Sequence, residues 1–391
     1  MTRLRWLTAG ESHGPALTVI LDGVPAGLRL LADDVRADLA RRQRGYGRGG
    51  RMKIETDTAA LEGGVRGGET LGGPIALRIE NRDFANWTGR MGPAPFASPP
   101  EPVRTPRPGH ADLVGALKYQ RRDLRDVLER ASARETAARV AAGAVARQLL
   151  GTLGVRVASR VRSIGGIDDP TELPPEAWAL DGAVRDALEA NDLRVLDAAA
   201  GARMREEIHA ASHAGDSVGG VVEVVALGLP PGLGSHTQWD RRLDGRIAQA
   251  AMSVHAIKAV EIGDGWAVAR GRGSAAHDGI AHDGVGYVRT GLRAGGVEGG
   301  MTHGGPLVVR AAMKPLSTLR SPQPSVDVQT RAPSPAAVER TDICAVPAAG
   351  VVLEAMLCLT LADAALEKLG GDSIAELLRN LEGYRAQIAA Y

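Results

Sequence analysis

The side chains able to do chemistry fall in short, glycine-rich segments. Gly10-Glu-Ser-His13-Gly14 sets a histidine in a tight turn with Glu11 two residues upstream, a placement suited to proton transfer. Arg104-Thr-Pro-Arg107-Pro-Gly-His110-Ala-Asp112 sets a second histidine where a helix is expected to start, and the positive end of a helix favours anions beside it. Between Arg36 and Lys53 there are seven cations (Arg36, Arg41, Arg42, Arg44, Arg48, Arg51 and Lys53) against one carboxylate, Asp38. Four glycines interleave the second half of that run, so it reads as a loop presenting guanidinium forks, whose geometry suits phosphate and carboxylate. Arg130-Ala-Ser132-Ala-Arg134-Glu-Thr136 places hydroxyls and two guanidiniums at a helix N-terminus, a recipe for binding phosphate. Lys314-Pro-Leu-Ser317-Thr318 repeats it after a strand, and Arg340-Thr-Asp342 adds an arginine beside an isolated carboxylate.

Several anion sites in one chain imply a phosphorylated cofactor together with an anionic substrate. Neither Gly-x-x-x-x-Gly-Lys-Ser/Thr nor a strand-linked Gly-x-Gly-x-x-Gly occurs, so neither a P-loop nor a Rossmann site is indicated. His209 and His213, four apart, and His277 and His282 lack the acidic partners of a metal site, and no metal is expected. Two cysteines, Cys344 and Cys358, are too few for a disulfide framework.

These segments need a scaffold. Strands are expected over 15–23, 74–80, 154–164, 218–227, 255–262 and 306–313, and helices over 33–42, 133–150, 200–213, 239–253 and 348–369. Asp33 or Asp34 is the expected N-cap of the first helix, and Ser132 with Glu135 makes a capping-box signature before the second. The alanine-rich stretch 133–150 predicts a helix that packs closely on a neighbour. A long proline-rich connection, 82–108, precedes His110.

With 391 residues the chain has the length of two to three domains at about 150 residues each. No shift of composition separates them, so the reading is one large α+β domain over 1–391, layered with helices sandwiched against β-sheets and with 372–391 as a peripheral C-terminal helix. The 47 Lys+Arg nearly balance 46 Asp+Glu, and aromatics are 3%, which disfavours nucleic acid as a partner. The N-terminal segment and the apolar run 350–362 are too short for a signal peptide or a bilayer span, so a cytoplasmic chain with no membrane partner is expected.

Nine segments in register resemble the chorismate synthase family: Gly10 to Gly14, Arg44 to Lys53, Arg107 to Asp112, Arg130 to Ala137, Asp216 to Gly220, Leu243 to Gly245, Arg293 to Gly296, Met313 to Pro315 and Asp342 to Pro347. The resemblance implies a lyase that converts 5-enolpyruvylshikimate 3-phosphate to chorismate and phosphate by anti-1,4-elimination, using reduced FMN without net redox change. By that resemblance His13 lies near the substrate, His110 near the flavin, and Asp342 relays a proton at the flavin N5. It assigns FMN to Arg130, Ala131, Ser132, His255, Ala256, Gly299, Lys314, Pro315, Leu316, Ser317, Thr318 and Arg340, and the substrate or NADP to Arg42, Arg48, Arg107 and Arg134. It further implies a homotetramer supplied by an external flavin reductase, with NADPH as reductant. The chain departs from the family's usual pattern at Thr290-Gly-Leu-Arg293, at His303-Gly-Gly305, at Arg66-Gly-Gly68 and at Ala275. Two readings compete: a flavin-dependent reductase or dehydrogenase acting on an anionic substrate, and an RNA-binding arm over 36–53.

Overall fold

A computed structural model describes residues 3–50 and 54–391, so Arg51 and Lys53 lie outside the described residues. The first sheet contains β1 (Arg5–Ala9), β2 (Ala16–Asp22), β3 (Ala59–Gly63) and β4 (Ile75–Glu80), antiparallel throughout in the order β1-β2-β4-β3. Alternation decides its buried face: Leu17, Val19 and Leu21 of β2 pair with Ile79, Leu77 and Ile75 of β4, and all six are fully buried. The second sheet contains β5 (Arg156–Ile164), β6 (Ile167–Asp168), β7 (Gly220–Leu227), β8 (Ile257–Ile262) and β9 (Leu307–Met313), antiparallel in the order β8-β9-β7-β5-β6. β7 is buried on both faces because helices cover one side and the segment carrying Trp178 and Leu188 covers the other.

The longer helices are α1 (Ala32–Gln43), α2 (Asp112–Tyr119), α3 (Thr136–Thr152), α4 (Ala198–Ala214), α5 (Leu243–Met252) and α6 (Val346–Leu369), of which α1, α3 and α6 form the layers between the sheets, and α7 (Ile374–Ala389) closes the chain. α3 packs on β2 and β4, α6 packs on β5 and β7, and α3 and α6 meet in the middle. The layers therefore run sheet, helices, helices, sheet around one continuous core, an α+β fold. Small residues permit the central contact: a Cβ added at Gly143 of α3 would stand 2.3 Å from the Cβ of Ala355 on α6. That is the close approach expected of the alanine-rich helix. In α7 only Leu377 and Leu381 are buried, as befits a peripheral element.

α6 begins two residues earlier than expected, with Pro347 in its first turn. It is long and apolar enough to cross a bilayer, yet almost all of it is buried inside the protein. Its midpoint carries Glu354, fully buried, which accepts hydrogen bonds from Arg41 (2.8 and 2.9 Å), Arg147 (2.6 Å), Arg194 (3.3 Å) and Ser159 (2.5 Å). Burial opposes the Glu354 charge, but the three guanidiniums outweigh it and hold the carboxyl well below its ordinary range.

The N-cap position of α1 is Leu31, and Asp34 reaches back to accept from the Leu31 amide at 2.9 Å. Glu135 does not complete a capping box. It accepts instead from Thr8 at 2.8 Å and Arg139 at 2.8 Å, leaving Ser132 to accept from the Arg134 amide at 3.3 Å. The expected helix over 239–253 divides into a 3-10 turn, Trp239–Arg241, and α5. The edge strands β1 and β3 were not foreseen, because their partly exposed residues lack a continuous apolar signature. The connection 82–108 also carries short helical turns at Arg82–Asn86 and Thr88–Met91.

Candidate active site

The C-terminal end of α1, the N-terminal turn of α3, the first turns of α6 and the loops after β1, α5 and β9 enclose a cavity of about 540 Å³. That volume lies within the range of small-molecule sites, roughly 300–1,000 Å³. Of the residues singled out from the sequence, His13, His110, Asp342, Arg42, Arg48, Arg107, Arg134, Arg340, Ala131, Ser132, His255, Ala256, Lys314, Leu316, Ser317 and Thr318 line it. Arg130, Pro315 and Gly299 do not. Arg130 donates to the carbonyls of Thr8 (2.9 Å) and Gly10 (3.2 Å), and Pro315 is the exposed neighbour of Lys314. Gly299 is the exposed turn between Val297–Glu298 and Met301–Thr302.

Two of the three cavity histidines, His13 and His110, are held by carboxylates. His110 Nδ1 lies 2.6 Å from Asp112 Oδ1, and Arg107 grips the same carboxylate through Nε (2.8 Å) and Nη2 (3.0 Å). Asp112 is fully buried. Burial opposes its charge, but the hydrogen bonds from His110 and Arg107 hold its carboxyl well below the ordinary range. An ionised carboxylate only accepts, so His110 carries its hydrogen on Nδ1 and leaves Nε2 as the exchanging nitrogen. His13 is buried, with Nδ1 2.9 Å from Glu129 Oε2, Nε2 3.9 Å from Asp83 Oδ2, and its ring stacked on Trp87 with centroids 4.1 Å apart.

The arginines are not bare cations. Arg42 donates to Asp57 at 2.7 Å and Arg134 to the other oxygen of Asp57 at 2.5 Å, Arg48 stands 3.2 Å from Asp342, and Arg340 pairs with Asp83. Arg107 spends its remaining nitrogen on Thr318 at 2.8 Å. It therefore holds Asp112 and His110 while also lining the cavity. Within the cationic run, Arg41 turns into the core toward Glu354 and Arg36 pairs with Asp33 at the surface, because successive helical residues face different directions. Arg42 and Arg48 reach the cavity. A buried cation needs a counter-charge to offset its desolvation, which is why each cavity arginine brings a carboxylate.

Arg42 Nε, Arg134 Nη2 and His255 Nδ1 are buried without a hydrogen-bond partner, although Arg134 Nη2 stands 3.6 Å from Glu55 Oε2 in an ion pair. Burial, joined by repulsion from Arg134 and Arg48, pushes Arg42 down to about 10 against the pull of Asp57. Burial pushes His255 down to about 4, so it is neutral near pH 7. Ala256 next to it has φ +65°, a left-handed backbone that a residue with a side chain seldom adopts, and its carbonyl accepts from the Lys314 amide at 2.9 Å. Asp342 is oriented by the Gly49 amide at 2.6 Å, so the glycine-rich loop serves this carboxylate. Among the described residues no group of three His, Cys, Asp or Glu side chains could hold a metal ion.

Glu129, Asp57, Asp83 and Trp87 are the site residues that sequence reasoning missed. Glu129 and Asp57 lay at the edges of recognised segments, and pairing each cluster cation with a nearby acid would have flagged Asp57. Nothing local marks Asp83 or Trp87.

Carboxylate-held histidines and compensated arginines gathered around one cavity define an enzyme rather than a binding scaffold. The family model for chorismate synthase matches residues 4–366. A chorismate synthase of Symbiobacterium thermophilum is 57% identical over 99% of this chain and 100% of its own length, and one of Leifsonia xyli subsp. xyli is 54% identical over 97% and 95%. A crystal structure of chorismate synthase superposes with a TM-score of 0.80 at 44% identity, covering both chains fully. The chain belongs to the chorismate synthase family.

Proposed function

We propose that the chain is a lyase of aromatic biosynthesis that converts 5-enolpyruvylshikimate 3-phosphate to chorismate and phosphate by anti-1,4-elimination, with reduced FMN as cofactor. The observation that carries this reading is the convergence of two carboxylate-held histidines on one cavity with unfilled guanidinium donors. The substrate bears one phosphate and two carboxylates, and Arg42 Nε and Arg134 Nη2 are buried donors suited to them.

The cavity fits the cofactor. His255 Nδ1 lacks a hydrogen-bond partner, and Ser132, Ser317, Thr318 and Lys314, which line the same cavity, would supply hydroxyls and an ammonium to a phosphate. Ala131, Ser132, His255, Ala256 and Lys314 to Thr318 would hold the FMN, with Arg340 at the rim. Reduced flavin, when bound, supplies an electron-rich ring beside the allylic phosphate. In the reaction the C3–O bond breaks with departure of phosphate, and a hydrogen leaves C6, so no electrons are consumed overall. His13, its Nδ1 hydrogen held by Glu129, turns Nε2 to the leaving phosphate and donates from it as the imidazolium, with both ring nitrogens protonated. With the flavin bound, His110, fixed by Asp112, and Asp342, fixed by Arg48 and Gly49, would each hold or move a proton in the cavity. Arg42 and Arg134 orient the anions and exclude water from them. Homotetrameric assembly, reduced flavin from a separate reductase with NADPH as reductant, and a cytoplasmic location belong to the same reading.

The test is anaerobic turnover of 5-enolpyruvylshikimate 3-phosphate with chemically reduced FMN, followed by chorismate absorbance and phosphate release, with oxidised FMN as control. Many turnovers per reduced flavin and none with oxidised flavin are expected. Stoichiometric NADPH consumption, or no product despite FMN binding, would refute the assignment.

A further inference from the structure

We infer that Glu129 is the positioning residue of His13, setting which ring nitrogen carries the hydrogen and which faces the cavity; this rests on the role proposed above for His13. Glu129 follows the short helix Arg125–Leu128 and precedes the anion-binding segment Arg130 to Thr136. It clamps the His13 turn from two sides. Its carbonyl accepts from the Ser12 amide at 3.0 Å, and its carboxylate accepts from the His13 amide at 2.8 Å. The same carboxylate lies 2.9 and 3.0 Å from His13 Nδ1 and accepts from Arg125 Nη1 at 2.8 Å.

The Glu129 side chain is 1% exposed, so water does not compete for these bonds. Burial opposes its charge, but His13 and Arg125 outweigh it and hold the carboxyl below its ordinary range. An ionised carboxylate has no hydrogen to give, so His13 Nδ1 must be the donor, and Nε2, 3.9 Å from Asp83 Oδ2, is the nitrogen turned away from Glu129. Trp87 stacks on one face of the ring, and the Arg125 guanidinium lies 5.0 Å from the Trp87 ring centroid. Glu129 thus does for His13 what Asp112 does for His110, although only Asp112 is local in sequence to its histidine.

Glu129→Gln is nearly isosteric and reverses the logic. Arg125, the stronger donor, claims the amide oxygen, and the amide NH2 then faces Nδ1, which must accept and shift its hydrogen to Nε2. In protein labelled with 15N-histidine, the His13 imidazole signals, assigned by their loss in His13→Ala, are expected to report hydrogen on Nδ1 in the parent and on Nε2 in Glu129→Gln. In anaerobic turnover kcat is expected to fall about 100-fold or more with KM within about threefold, since an amide NH2 facing Nδ1 opposes the imidazolium that gives up the Nε2 proton, whereas the parent carboxylate supports it, and binding is left intact. Glu129→Asp keeps the carboxylate and is expected to recover at least about tenfold over Glu129→Gln. A parent ring with hydrogen on Nε2 and none on Nδ1, or a Glu129→Gln kcat within about threefold of parent, overturns the inference. Near-parental turnover by His13→Ala would instead refute the role proposed for His13, while the tautomer measurement, made without substrate, still decides what Glu129 does to the ring.

Discussion

Glu354→Gln should destabilise the protein by about 3–5 kcal/mol, the cost of breaking a buried ion pair from one side. Around Glu354 three guanidiniums, Arg41, Arg147 and Arg194, face three carboxylates, Glu354, Asp38 and Glu189, so the buried cluster is neutral. Glutamine leaves one uncompensated positive charge and replaces an acceptor of five hydrogen bonds by a group with one acceptor oxygen. For 391 residues the unfolding entropy is about 0.8 kcal/mol/K, so the expected fall in Tm is about 4–6 °C. Differential scanning calorimetry at pH 7.5 measures it. The companion variant Glu354→Gln/Arg147→Met restores neutrality with two cations against two carboxylates, and it should recover part of the loss. A Glu354→Gln Tm within 1 °C of the parent, or a double variant no more stable than the single one, would refute the charge argument.

Three further outcomes follow from the geometry. Asp112→Asn should lower kcat about 100-fold or more with little change in KM, because it frees the His110 tautomer; steady-state anaerobic kinetics check this, and unchanged kcat would remove Asp112 from the proton path. Burial holds His255 at about 4, below its unfolded value near 6.5, so the unfolded chain binds the extra proton and this contribution to stability is lost as pH falls from about 6.5 toward 4. His255→Gln should therefore lose less of its urea midpoint between pH 7.5 and 5 than the parent, and parallel losses would contradict the sign. Gly143→Ala should cost about 1–3 kcal/mol by pushing α3 from α6, read by thermal denaturation, since its Cβ meets Ala355 at 2.3 Å; an unchanged Tm would show that the helices can separate freely.

Periodicity and punctuation in the sequence determined most of the scaffold. The apolar alternation of β2 and β4, the β-branched run of β7 and the long apolar α6 are local signals, read within a few residues of their true bounds. The edge strands β1 and β3 escaped because an edge needs only a pairing partner, which local pattern does not encode. Both histidines, Asp342 and the arginines reaching the cavity were legible because glycine-rich segments with titratable groups have few other uses. Their partners were not: Glu129 meets His13 across 116 positions, Arg340 meets Asp83 across 257, and Arg134 meets Asp57 across 77. Which arginine faces the cavity and which faces the core depends on how α1 is rotated between the two sheets, and that rotation comes from packing the whole of α1, α3 and α6. The sequence alone therefore determined which groups could do chemistry, and the tertiary structure decided which charges remain open to a ligand, because only close packing brings a compensating carboxylate within reach of a buried cation.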